Sequence, residues 1–165
     1  MKYWLSTVSL VFSMHAHASF DDLVEHVSNA YQVPEWVISS ICIHESQSFY
    51  RGKRQAWPWT VNVGGSGSWW RSKGSAIRFV EEKRKQGKTN IDIGICQMNW
   101  FYHHQKFIDL NEMFDPVRNM SEAAKYVKQQ KGNGTWESAI GRYHSPNNSE
   151  RAKSYAKAVL SHRSY

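Results

Sequence analysis

Glu45 is the residue whose type and spacing most clearly suggest chemistry. Val37, Ile41 and Glu45 are spaced four residues apart, and Ile38 and Cys42 extend the same stripe. On a helix this spacing places the five side chains on one largely apolar face, with the carboxyl group at its end. Partial burial there would raise the pKa of the Glu45 carboxyl, which suits a general acid near neutral pH. The spacing equally allows a glutamate that points into water at a helix end.

Hydrophobic periodicity and chain-breaking residues predict a mainly helical α+β chain with a small β element. The segment 57–70 alternates around a Gly-rich turn and is predicted to be a β-hairpin or a structured loop. The segment 91–98 is predicted to be extended or irregular around Gly94. Helical spacing predicts helices at 21–30, 34–46, 75–86, 116–130, 136–143 and 149–161. A chain of 165 residues is enough for one such domain and short for two.

The first residues are typical of a secretory signal peptide. Lys2 precedes an apolar stretch at 3–14, and Ala16-His17-Ala18 fits the small-x-small cleavage pattern. We therefore predict cleavage after Ala18, a mature domain at 19–165 and a periplasmic location. The alternative is a membrane anchor, but the stretch is short for a span, and no later apolar run approaches the ~20 residues that a span needs. No stable membrane insertion is expected.

The charge balance indicates an anionic partner without identifying it. Lys and Arg number 21 against 14 Asp and Glu, a formal net charge of +7. Nucleic acid, acidic lipid and an anionic cell-wall polymer all fit such a surface. The chain contains no recognised nucleic-acid-binding motif, and export would separate it from most nucleic acid. No nucleic-acid partner is therefore expected.

The aromatic and histidine residues add two further expectations. Six rings fall near the segments around 57–70 and 94–102, where one or two could stack on sugars while the rest fill the core: Trp57, Trp59, Trp69, Trp70, Trp100 and Tyr102. The histidines form no known zinc pattern, because His103 and His104 are adjacent and no His-Glu-x-x-His occurs. We expect no metal and no cofactor.

Four sequence blocks, taken in order, resemble the soluble lytic transglycosylase family of lysozyme-like peptidoglycan enzymes. They are Glu45-Ser46, GICQMN at 94–99, AIGRYH at 139–144 and YAKAV at 155–159. The segment WPWTVNVGG at 57–65 is similar to the small members that accompany type IV secretion, conjugation and pilus systems. The resemblance covers roughly residues 21–161, and it implies a single lysozyme-like domain that acts on peptidoglycan.

The resemblance implies a role for each matching residue. Glu45 matches the sole catalytic acid and base, and Ser46 matches a hydroxyl placed beside it near the substrate N-acetyl group. Tyr143 matches a tyrosine that orients the glutamate or the sugar, and His144 follows it in the substrate-binding block. The loop that lines the glycan groove would consist of Gly94, Ile95, Cys96 and Gln97. Two departures stand out: Cys96 replaces the usual Met, and His144-Ser145-Pro146 replaces the usual Asn, Ala and Gly.

The resemblance also implies a reaction that uses one carboxylate, whereas most glycosidases use two. Glu45 would protonate the oxygen between MurNAc and GlcNAc, and then accept the proton of the MurNAc 6-hydroxyl as that oxygen attacks C1. The product would be a 1,6-anhydro end, formed without water. Asp92 is the nearest candidate for a second carboxylate and would suit a lysozyme-like hydrolase, but an aspartate there more often stabilises a turn.

Cys42 and Cys96 are the two cysteines of the chain, so one bridge is the only intramolecular disulfide available. Export would permit it, and two buried free thiols are the alternative. If the resemblance holds, the loop that contains Cys96 faces the helix that carries Cys42 and Glu45. A Cys42–Cys96 bridge would then hold the groove loop against the catalytic helix.

The leading hypothesis is therefore an exported lytic transglycosylase that cuts the β-1,4 MurNAc–GlcNAc bond and opens the wall for an envelope-spanning machine. Its partners would be peptidoglycan glycan strands and components of a secretion, conjugation or pilus system. A lysozyme-like hydrolase is the first alternative. A peptidoglycan-binding module without turnover is the second.

Overall fold

The computed structural model describes residues 19–161. The predicted signal peptide, residues 1–18, lies outside the described residues. The helices are Phe20–Tyr31 (α1), Glu35–Ser46 (α2), Lys73–Lys85 (α3), Trp100–His103 (α4), Leu110–Met113 (α5), Pro116–Lys131 (α6), Trp136–His144 (α7) and Ser149–Leu160 (α8). The strands are Ser48–Tyr50 (β1), Lys53–Gln55 (β2), Thr60–Val63 (β3), Ser66–Trp69 (β4), Ile91–Ile93 (β5) and Met98–Asn99 (β6). Over residues 19–161, no helix is both long and apolar enough to cross a bilayer.

The fold is the mainly helical α+β type that the sequence predicts. All six predicted helices are present, with ends within two residues of the expected positions. The segment 57–70 forms the β3–β4 hairpin, in which Thr60 pairs with Trp69 and Val63 with Ser66. The β1–β2 hairpin and the short helices α4 and α5 were not predicted, because three- and four-residue elements are too short to show a period.

Most helices begin at a side chain that accepts a hydrogen bond from the first turn. Such a cap replaces one of the helical acceptors that the first N–H groups lack, and it stabilises a helix by about 1 kcal/mol. The capping residues are Ser19, Ser72, Asn99, Asp109, Asp115, Thr135 and Asn148. The caps fix where the chain turns into each helix.

Helix α2 is the central element of the core. Val37, Ile38, Ile41 and Cys42 are buried on it, and it contacts α1, α6, α7, α8 and β2. Each buried aliphatic side chain of this kind contributes about 1.5–3 kcal/mol relative to exposure. The helix ends at Ser46, because Gln47 adopts a left-handed conformation. Glu45 is thereby held on the last turn of the most buried helix.

The larger sheet has the antiparallel order β4-β3-β5-β6. On β5, Ile91 and Ile93 are fully buried, and Ile93 pairs with the buried Val61 of β3. Side chains alternate between the two faces of a strand. Asp92, between the two isoleucines, is therefore turned away from the core.

Candidate active site

Glu45 lies in a cavity of about 780 Å³ that is bounded by the end of α2, the larger sheet, α4 and the α7–α8 connection. Asp92, Gln97, Tyr143 and His144 line the same cavity. This volume is typical of small-molecule binding sites. The cavity thus brings together residues that are up to 106 positions apart in sequence, from Glu45 to Arg151.

The carboxyl group of Glu45 is held by Tyr155 of α8, whose hydroxyl donates a hydrogen bond to Oε1. Burial raises the pKa of Glu45 from 4.5 to about 7. The Tyr155 hydrogen bond opposes this rise in pKa, and the nearby charge of Asp92 adds to it. Glu45 therefore keeps its proton to a higher pH than an exposed glutamate does, and the protonated form is the state a general acid needs.

Two histidines hold the Tyr155 ring in place. The ring of His144 stacks on it at a centroid distance of 4.7 Å and an interplanar angle of 13°. The ring of His44 meets it edge-on at 5.2 Å and 82°. Burial and the adjacent Glu45 raise the pKa of Tyr155 well above its usual value. Tyr155 therefore stays a neutral donor, and its ring is held by contacts with two histidines.

Asp92 is a second carboxylate in the cavity wall rather than a turn residue. It lies on β5, and Asn99 Nδ2 donates to Asp92 Oδ1 at 2.7 Å. Burial raises the pKa of Asp92, while the Asn99 hydrogen bond and the charge of His144 lower it. Side chains alternate between the two faces of β5, and both isoleucines of Ile-Asp-Ile point into the core. The Asp92 carboxylate therefore points to the opposite face, into the cavity that Glu45 also lines.

Cys42 and Cys96 form a disulfide, so the alternative of two free thiols is wrong. Their Cα atoms are 4.1 Å apart, and the bridge joins α2 to the loop between β5 and β6. Asn119 of α6 holds the same loop: its Oδ1 accepts from the Cys96 N–H at 3.0 Å, and its Nδ2 donates to the Ile93 carbonyl at 2.9 Å. The 94–97 loop is thus fixed from two sides.

The structure changes the role expected for three residues of this loop. Gly94, Ile95 and Cys96 are buried, and only Gln97 of the four reaches the cavity. Gly94 has φ +85°, and a Cβ there would lie 2.5 Å from Asn119 Nδ2. Gln97 Nε2 donates to the carbonyls of Gly94 at 2.8 Å and Thr60 at 3.1 Å. The buried part of the loop therefore lies behind the cavity wall, and Gln97 is the one residue of these four that lines the cavity.

Ser46 also differs from the expectation. Its side chain is fully buried and does not line the cavity. Ser46 Oγ accepts from the Trp57 N–H at 2.6 Å and lies 3.4 Å from the Thr60 hydroxyl. Ser46 follows Glu45 on the helix and so points about 100° away from it. It joins α2 to the start of the β3–β4 hairpin.

Tyr143 and His144 line the cavity, but neither is hydrogen-bonded to Glu45. The Tyr143 hydroxyl donates to the Cys96 carbonyl at 2.8 Å, which links α7 to the disulfide loop. His144 Nδ1 lies 3.0 Å from the Ser145 hydroxyl. Tyr155, and not Tyr143, orients the Glu45 carboxyl. The resemblance includes the block at 155–159 but implies no role for Tyr155.

Of the six aromatic residues expected near a sugar site, Tyr102 alone lines the cavity. This residue is 73% exposed, so much of its ring is accessible to a ligand. Next to it, His103 is buried, and burial lowers its pKa to about 4. Trp59, Trp70 and Trp100 pack against the core. A neutral imidazole and an exposed ring at this end suit an uncharged, ring-shaped ligand.

Within residues 19–161, no group of three or more His, Cys, Asp or Glu side chains is arranged to hold a metal ion. No protein family model, no curated protein and no solved structure matches the chain. The class of this site therefore rests on its residues: a half-buried, protonatable glutamate in a polar cleft that is open to solvent.

Proposed function

We propose that the protein is a peptidoglycan lytic transglycosylase that cleaves the β-1,4 bond between MurNAc and GlcNAc. The observation that carries the proposal is Glu45, whose pKa of about 7 and hydrogen bond from Tyr155 suit one group acting as both acid and base. The exposed Tyr102 ring in the same cavity supports a saccharide ligand. The four sequence blocks support the same class.

In the proposed reaction the proton of Glu45 passes to the glycosidic oxygen as its bond to C1 breaks. The GlcNAc side leaves as an alcohol, and C1 develops oxocarbenium character. The ionised Glu45 then takes the proton of the MurNAc 6-hydroxyl while that oxygen bonds to C1. The carboxyl group is protonated again, a 1,6-anhydro ring is formed, and no water is consumed.

The substitution Glu45→Gln tests the assignment. It keeps the side-chain shape but removes the transferable proton, so we expect muropeptide release from purified sacculi to fall by about 10²–10⁴-fold. The matched control is Glu35→Gln, because Glu35 is exposed on the first turn of the same helix. Release by Glu45→Gln at the wild-type rate would exclude Glu45 as the acid.

A lysozyme-like hydrolase is the second candidate, and Asp92 favours it. Asp92 lines the same cavity as Glu45, and its charge acts on Glu45. An ionised Asp92 could serve as the second carboxylate that hydrolytic glycosidases use. Mass spectra of the digest discriminate the two reactions: a transglycosylase leaves anhydro ends, whereas a hydrolase leaves reducing ends only.

The proposed setting is the periplasm, next to a secretion, conjugation or pilus machine. The sequence of residues 1–18 supports export, and the Cys42–Cys96 bridge supports an oxidising compartment. A third candidate, a peptidoglycan-binding module without turnover, predicts binding to sacculi and no release of muropeptides. The Glu45→Gln comparison therefore also tests this candidate.

A further inference from the structure

The stretch between Glu45 and Glu81 carries an unusual concentration of positive charge. It contains six Lys or Arg residues and no Asp or Glu, so it accounts for most of the net charge of +7. Three of the six lie on the β1–β2 hairpin, residues 48–55, which we call the basic hairpin: Arg51, Lys53 and Arg54. Within residues 19–161, the ion pairs do not include any of these three.

The basic hairpin combines its cations with exposed rings. Phe49 is 63% exposed and pairs across the hairpin with Arg54, whose guanidinium lies 4.9 Å from the ring centroid. Tyr50 is 57% exposed, and the guanidinium of Arg51 lies 5.1 Å from its ring. A guanidinium that stacks on a ring keeps its N–H edge free for a carboxylate. The hairpin therefore presents two pre-oriented carboxylate-binding groups next to apolar surface.

The basic hairpin follows a residue of the cavity wall directly along the chain. Gln47 lines the cavity, and β1 begins at the next residue. Arg51 follows Gln47 by four residues, which span at most about 14 Å when fully extended. A third ring, Trp69 of β4, is half exposed and is fixed to the end of α2 by its indole N–H, which donates to the Ser46 carbonyl at 2.7 Å. A polymer that leaves the cavity on this side would meet the hairpin.

We propose, on the basis of the proposed function, that the basic hairpin binds the carboxylates of the peptide side chains that peptidoglycan carries outside the cavity. The guanidinium groups would pair with these carboxylates, and the neighbouring rings would contact the sugar backbone. One ligand thereby accounts for both features of the hairpin. Its place in the chain, directly after a residue of the cavity wall, favours this ligand over an anionic lipid surface, which would also attract cations and rings.

The test measures binding to purified sacculi by co-sedimentation, in the Glu45→Gln background so that no cleavage interferes. The hairpin variant carries Arg51→Gln and Arg54→Gln. The control variant carries Lys85→Gln and Lys157→Gln, which removes the same charge from exposed positions on α3 and α8. A third variant, Arg51→Lys with Arg54→Lys, keeps the charge. Sacculi whose carboxylates have been amidated and vesicles that contain phosphatidylglycerol serve as alternative ligands.

We expect the hairpin variant to bind untreated sacculi roughly tenfold more weakly, and the control variant to bind within about twofold of the parent. The lysine variant keeps the charge but loses the guanidinium edge, so its binding should lie between that of the parent and that of the hairpin variant. Amidation should weaken the parent and remove the difference between parent and hairpin variant. The inference is overturned by equal losses in the hairpin and control variants, by undiminished binding to amidated sacculi, or by a loss confined to vesicles. Muropeptide release by the protein with Glu45 intact tests the proposed function separately, so the two can fail independently.

Discussion

The pKa of Glu45 results from two opposing effects. Burial raises its pKa, and the hydrogen bond from Tyr155 lowers it, which leaves the pKa at about 7. The first effect comes from the packing around the carboxyl group, and the second comes from one side chain, Tyr155. The pH dependence of activity should therefore respond to substitutions at this pair.

The substitution Tyr155→Phe should move the alkaline limb of the activity profile to higher pH. The proposed reaction requires protonated Glu45, so activity should fall as pH rises through about 7 in the wild type. Loss of the hydroxyl removes the contact that lowers the Glu45 pKa, and the midpoint should rise. Initial rates of muropeptide release across pH measure it. Tyr143→Phe is the control, because the Tyr143 hydroxyl donates to the Cys96 carbonyl and not to Glu45. An alkaline midpoint that is unchanged or lower in Tyr155→Phe would contradict the prediction.

The same pKa predicts how Glu45 affects stability. The folded state holds the Glu45 proton up to about pH 7, whereas the unfolded chain releases it near 4.5. The wild type therefore loses free energy of unfolding as pH rises between these values. Glu45→Gln cannot ionise, so it should be equally stable near pH 4 and more stable by up to about 3 kcal/mol near pH 8.

Urea denaturation at a series of pH values measures this gain. Glu35→Gln provides the comparison, because Glu35 is exposed at the opposite end of α2 and should show no gain that grows with pH. A difference between wild type and Glu45→Gln that stays constant with pH would show that the carboxyl is not desolvated.

At the scale of elements, the disulfide connects α2, which carries Glu45, to the loop behind the cavity. Cys42 and Cys96 are 54 residues apart, so the bridge closes a long loop in the unfolded chain. Closing a loop of this length restricts the unfolded state and stabilises the folded one by about 4 kcal/mol. Asn119 and the Tyr143 hydroxyl bind the same loop and should keep it in place once folded.

Removal of the bridge should therefore affect stability more than chemistry. We expect Cys42→Ala with Cys96→Ala to lose about 4 kcal/mol in urea denaturation, and the wild type to show the same loss when reduced. Muropeptide release under folding conditions should persist, because Asn119 still holds the loop. Identical midpoints with and without reductant would count against a stabilising bridge.

At the scale of the whole molecule, the contact between α7 and α8 determines whether Tyr155 reaches Glu45. Gly141 on α7 faces Ala152 on α8, and a Cβ at Gly141 would lie 2.5 Å from the Ala152 carbonyl oxygen. The two helices are close because this position has no side chain. Because α8 carries Tyr155, the distance between α7 and α8 also affects the distance between the Tyr155 hydroxyl and the Glu45 carboxyl.

The substitution Gly141→Ala should push the two helices apart. Overpacking of a core contact costs about 1–3 kcal/mol, and we expect a loss of stability of that size together with reduced muropeptide release. Gly74→Ala on α3 is the control: its Cβ would lie 3.6 Å from Arg78 Nη1, an ordinary contact, and it should be neutral or slightly stabilising. Full stability and activity in Gly141→Ala would show that α8 tolerates the shift.

Local patterns were sufficient to predict most of the fold. The period of 3.6 in α2, the caps and the Gly-rich turn at 64–67 act between near neighbours, so they can be read from a short window. They placed six helices and the β3–β4 hairpin correctly. They also put Cys42 and Glu45 on nearly the same side of one helix.

The partners of Glu45 depend on packing between distant segments. Tyr155 is 110 residues from Glu45 and reaches it only because α7 and α8 approach closely at Gly141. Asp92 faces the cavity because its two isoleucine neighbours enter the core, and Ser46 is withdrawn because Trp57 binds its hydroxyl. Thus the amino-acid sequence alone determined the helices and the candidate acid, through short-range periodicity. Tertiary structure alone decided which side chains surround that acid, since burial and hydrogen bonding there join residues that no local pattern connects.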